Sequence, residues 1–162
     1  MQQYKILLVI ILSLLVGCVQ QVNPPEGFYS YDHTEINEMI NQLSFNPIIP
    51  PFLPINVEFL VTDRFFLEGT EKEAMDVSFY TKENNILTFQ ATEGSFDLSI
   101  NGKEVQIDKH VKGNYADNRF AKSLYWEKEN ISYSLIFRSN MNNDEIAEMV
   151  TKEDLIKVAQ AI

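Results

Sequence analysis

Cys18 is the only cysteine in a chain of 162 residues, and it follows Leu15-Val16-Gly17 directly. A lone thiol cannot close an internal disulfide, so the chemistry open to it is alkylation or acylation by an outside agent. Small Gly17 leaves room for an enzyme to approach the bond before it. No other side chain offers comparable chemistry. His33 and His110 are the only imidazoles, and each lies in a polar stretch without a metal-type partner at i+3 or i+4, so both read as surface histidines. Ser30, Ser44, Ser95 and Ser123 stand in no Gly-x-Ser-x-Gly context, which leaves a hydrolase elbow unsupported. Glu68, Glu71, Glu73 and Asp76 form one acidic cluster and Asn142, Asn143, Asp144 and Glu145 another; neither has the glycine-bearing spacing of a calcium loop, and solvated turns or helix caps explain both. The expectation is a non-enzyme with no catalytic, cofactor or metal site.

What precedes Cys18 gives the thiol its meaning. Lys5 opens a short basic region, and residues 6–16 are an apolar run of about eleven residues, whereas a bilayer-spanning helix takes ~20. This is the layout of an export signal rather than a membrane span. Leu15-Val16-Gly17-Cys18 resembles the lipobox of bacterial lipoproteins. The resemblance implies a diacylglyceryl thioether on Cys18, cleavage before it and further acylation of the new N-terminus, palmitate being the usual kind of chain. The alternative is an ordinary secretory signal that happens to contain a cysteine. The expected address is the extracytoplasmic face of the cell membrane, by lipid anchor.

Removing residues 1–17 takes away one base and no acid, leaving 145 residues with 12 basic and 23 acidic side chains, a formal charge of −11. That length suits one domain of roughly 100–200 residues. The charge repels phosphate backbones and anionic headgroups, which excludes nucleic acid as an expected partner and assigns membrane attachment to acyl chains.

Downstream, residues 18–33 hold Asn23-Pro24-Pro25-Glu26-Gly27 and no apolar periodicity, and read as the lipidated cysteine and its tether. From Thr34, placed as N-cap, Ile36, Met39, Ile40 and Leu43 follow helical spacing. Residues 45–54 carry four of the six prolines, interleaved with Phe45, Ile48, Ile49, Phe52 and Leu53, and must be packed, irregular chain. Alternation then predicts strands around 57–61, 75–79 and 87–91. An Asn101-Gly102 hairpin is expected over 96–107, and after a polar loop at 109–118 a second hairpin over 120–137. Trp126 is the expected large core anchor. Asn143 to Val150 reads as a helical turn, and Thr151 with Asp154 caps a helix carrying Leu155, Val158, Ala159 and Ile162. Residues 34–162 are thus expected to be a single α+β domain, with about six or seven mostly antiparallel strands packed by an N-terminal and a C-terminal amphipathic helix.

Phe-x-Pro-x-x-Pro-Pro-x-Leu-Pro at 45–54, Ile-Asn-Gly at 100–102, Leu-Tyr-Trp-Glu at 124–127, Ile-Ser-Tyr at 131–133 and Lys-Glu-Asp-Leu-Ile-Lys-Val-Ala at 152–159 follow one order. That order resembles a domain-of-unknown-function family found in Gram-positive lipoproteins and in extracytoplasmic parts of anti-sigma factors, distantly similar to lipoprotein-carrier domains. The resemblance implies a curved sheet closed on one side by helices, and supplies no catalytic residues. The transmembrane and cytoplasmic segments of an anti-sigma factor are not seen, which argues against direct sigma-factor control. The leading functional expectation is an interaction module that binds another envelope protein through its sheet or edge. A carrier or sensor of an apolar ligand held between sheet and helices is the alternative, motivated by 11 Phe, 7 Tyr and 1 Trp; an envelope hydrolase is the third.

Overall fold

Alternation builds the sheet. The computed structural model describes residues 23–95, 102–118, 120–140 and 150–162. Helix α1 (Thr34–Ile40) precedes seven strands and helix α2 (Lys152–Gln160) follows them; the strands are β1 (Phe59–Phe66), β2 (Glu73–Tyr80), β3 (Ile86–Glu93), β4 (Lys103–Gln106), β5 (Lys112–Asp117), β6 (Lys122–Lys128) and β7 (Ile131–Arg138). They form one open, curved sheet in the order β1-β2-β3-β7-β6-β5-β4, every neighbouring pair antiparallel. The expected α+β class and strand number therefore hold. The chain runs as two meanders, and β7 returns to the middle against β3, which puts β1 and β4 at the two ends of the sheet among the described residues.

One face carries the apolar set. Met75, Val77 and Phe79 align with Leu87, Phe89 and Ala91, then with Tyr133, Leu135 and Phe137, then with Leu124 and Trp126, all buried. Ile36 and Met39 of α1 and Leu155, Val158 and Ala159 of α2 close over the same cluster. At ~1.5–3 kcal/mol per large buried apolar side chain, this layer dominates the folding free energy. Trp126 belongs to it, stacked on Tyr133 at 5.3 Å, but shares the anchoring with fully buried Phe79, Phe89 and Phe137. Side-chain donors tie α2 down: Gln160 Nε2 donates to the Ile107 carbonyl at 2.6 Å, and Lys128 Nζ to the Ile162 carbonyl at 2.7 Å. Thr151 and Asp154 form the capping box expected of them.

Three expectations need correction. The tether is shorter than residues 18–33: Phe28 is buried, Tyr29 and Leu53 exchange main-chain hydrogen bonds at 2.8 and 3.0 Å, and the Tyr31 hydroxyl donates to the Pro50 carbonyl at 2.5 Å. The proline segment thus pins the chain from Phe28 onward. Residues 109–118 are not all loop, because β5 lies there, and Phe120 lies in an exposed turn before β6. Thr34 is the first helical residue rather than the N-cap, and its amide and hydroxyl donate to Asp32 Oδ1 at 2.9 and 2.6 Å. Residues 96–101 of the expected Asn-Gly hairpin lie outside the described residues, as does the stretch 143–149; its second strand, β4, pairs with β5.

Candidate functional site

Cys18, the one site residue expected from sequence, lies outside the described residues. His110 is exposed. His33 is only half-exposed, stacked on Tyr31 at 4.2 Å, and burial lowers its pKa while Asp32 opposes the shift. The first acidic cluster divides by strand parity. Glu73 faces the core, so the expectation of a fully solvated cluster is corrected there. Asp76 sits half-buried on the opposite face, where burial first and Asp63 second push its carboxyl up to about 6 against the pull of Arg138. Among the described residues, no group of three or more His, Cys, Asp or Glu is placed to hold a metal ion.

The feature that sequence did not disclose is an asymmetry between the sheet edges. A strand edge presents unpaired N–H and C=O groups, and proteins blunt such edges with short strands, charge or proline. The β4 edge is blunted: four residues, with Lys112 Nζ against Glu104 Oε1 at 2.8 Å beside it. The β1 edge is eight residues long and holds no lysine or proline, and Phe59, Val61 and Phe66 are 53, 50 and 61% exposed. Its single arginine, Arg64, is engaged with Glu73. Phe59 is held flat by stacking on Tyr80 of β2 at 4.6 Å, so an apolar surface is presented in a fixed orientation.

Strand parity gives this edge two different sides. Phe59 and Val61 pair with Tyr80 and Ser78 on the face away from the helices, whereas Leu60 and Thr62 pair with Phe79 and Val77 on the helix side. There α1 runs close by, and the Thr62 hydroxyl donates to Glu35 Oε1 at 3.0 Å. Between helix and strand lies a groove of about 520 Å³ in which Asp32, Glu35, Glu38 and Glu58 surround an apolar wall of Tyr31, Val57, Leu60 and the edge of Phe59. A second hollow of about 410 Å³ shares Glu35 and Glu38 and continues to Asp63 and Arg64. The Thr34 hydroxyl, and after it the Thr34 amide, holds the Asp32 carboxyl below its usual range, keeping it ionised at neutral pH. The edge is therefore apolar on its outer side from Phe59 to Val61, where Asp63 follows opposite Asp76, and it is bordered by acids on its inner side.

No protein-family model, no curated protein and no solved structure matches this chain.

Proposed function

We propose that this chain is a membrane-anchored extracytoplasmic lipoprotein whose domain is a non-enzymatic protein-interaction module. It is held at the bilayer by lipid on Cys18 and meets another envelope protein along the β1 edge. The observation behind the edge is its contrast with β4 among the described residues: β4 is four residues long and charged, whereas β1 is eight residues long, exposes Phe59, Val61 and Phe66, and is bordered by a groove. The anchor reading rests on Leu15-Val16-Gly17-Cys18 and the apolar run before it. The carrier alternative has less behind it, because Phe79, Phe89, Phe137, Leu87, Leu124 and Leu155 are fully buried in the layer between sheet and helices. A ligand there would have to displace packed side chains, at a cost of the order of kcal/mol each.

Two measurements test this reading. In cells expressing the full chain, Cys18→Ala should abolish labelling by a fatty-acid probe; undiminished labelling would refute the anchor. A photo-crosslinking residue in place of Val61 should give discrete higher-mass adducts in intact cells, and one in place of Lys103 on the opposite edge should not. Equal yields from both positions, or none from Val61, would remove the β1 edge as the contact surface.

A further inference from the structure

Taking the β1 edge as the contact surface, we infer that its occupant is an extended segment of a partner protein that adds as a further strand beside β1. The segment carries Lys or Arg on the side facing α1 and apolar residues on the side of Phe59 and Val61. The alternation follows from geometry. Successive side chains of a strand point to opposite faces, so a segment lying along β1 sends every second residue toward the α1 groove and the rest beside the outer face of the sheet. On the groove side it meets Asp32, Glu35, Glu38 and Glu58, with Asp32 firmly ionised. Arg64, which lines the adjoining hollow, is already committed to Glu73. On the outer side it meets Phe59, stacked flat on Tyr80, and Val61, both half exposed, before Asp63 follows on the same side. Basic residues are thus favoured on one side and apolar ones on the other, while the main chain satisfies the open edge.

A second copy of this chain is a poor occupant. After removal of residues 1–17 its formal charge is −11, and β1 carries no lysine, so edge-to-edge pairing would bring two acid-bordered grooves together and supply neither with a free cation. An anionic lipid surface is disfavoured by the same charge. The pattern that recognises the partner is basic and apolar residues in alternation over the stretch that faces Phe59 to Thr62.

The test uses the full lipidated chain in nanodiscs of zwitterionic lipid and three fluorescent eight-residue peptides. One alternates Lys and Val, one alternates Glu and Val, and one has the composition of the first with its lysines and valines in separate blocks. Anisotropy should show the alternating Lys peptide binding at least tenfold more tightly than either of the others. Its affinity should fall severalfold between 50 and 500 mM salt, as screening of the charge contacts requires. The combined change Glu38→Lys and Glu58→Lys, which alters two exposed side chains, should reduce binding at least tenfold with an unchanged melting temperature. Val61→Pro should reduce it without altering the salt dependence that remains. Equal binding of the block peptide, or indifference to the Glu38/Glu58 change, overturns the inference. So does self-association of the chain through β1 in sedimentation. Adducts from position 61 in cells that map to a segment without basic residues would overturn this inference and leave the interaction reading standing; no adducts at all would end both.

Discussion

Glu73→Ala is expected to destabilise the domain by about 3 kcal/mol. Glu73 opens β2 on the core side of the sheet and is 1% exposed. Its Oε2 accepts from the Ser44 amide at 2.5 Å and the Ser44 hydroxyl at 2.7 Å, and its Oε1 accepts from Arg64 Nε. One carboxylate therefore ties the chain after α1 to the β1–β2 ladder. Removing it strands a main-chain donor and a guanidinium; the Arg64 side chain, 38% exposed, recovers part of its loss from water, which keeps the figure below the ~5 kcal/mol of a wholly buried pair. Glu73→Gln retains one acceptor and should cost roughly half as much. Burial is the largest single influence on the carboxyl and acts to raise its pKa. The two Ser44 donors and Arg64 together outweigh it, so the folded value lies below the usual 4.5. A depressed folded pKa adds stability that is complete above the unfolded value and is lost as pH falls through the folded one. Wild type should accordingly lose stability on acidification below about pH 4.5 more steeply than Glu73→Gln, as read from urea unfolding curves. A loss under about 1 kcal/mol in Glu73→Ala would mean that Ser44 and Arg64 find water instead.

Glu73 also shows where sequence reading stopped short. Charge alone did not separate it from Glu68, Glu71 and Asp76. Strand parity could have, because Glu73 shares its face with Met75, Val77 and Phe79. The strands that were legible are those whose apolar residues alternate, and the β6–β7 hairpin follows this rule. Its two turn residues, Glu129 and Asn130, both take positive φ, matching the twist that a two-residue hairpin turn requires. Strand β5 escaped because Lys-Gly-Asn-Tyr-Ala-Asp has almost no apolar alternation, and ladders on both sides hold it. Gly113 is needed in it, since a Cβ there would stand 2.8 Å from the Tyr125 carbonyl oxygen and 2.9 Å from Ile107 Cδ1. Phe28 to Tyr31 read as tether because their partners, Pro50 and Leu53, lie some twenty residues on. The candidate surface was illegible for a topological reason. Which strand becomes an edge depends on β7 returning to β3, and no local pattern encodes that return.

Asp76→Asn is expected to do the opposite of Glu73→Ala: stabilise the domain, and only above mildly acidic pH. Asp76 stands opposite Asp63 in the β1–β2 register, and burial, with Asp63 behind it, pushes its carboxyl from 3.8 up to about 6 despite Arg138. A raised folded pKa means that the native state holds the proton more tightly than the unfolded chain. Its contribution is complete below the unfolded value and is lost as pH climbs from about 4 to about 6. Two pH units correspond to ~3 kcal/mol, and because the group is partly solvated the expected penalty at neutral pH is about 1–2 kcal/mol. Asp76→Asn removes that penalty. The variant should match wild type near pH 4, gain steadily up to pH 6 and hold a constant advantage beyond it in urea titrations. A gap of equal size at every pH would show that packing, not ionisation, sets the difference. Asp63→Asn separates the two causes further. It takes away the opposing charge but leaves Asp76 buried, so it should recover only the smaller part of the gain, and added salt should shrink that part while leaving the burial part in place.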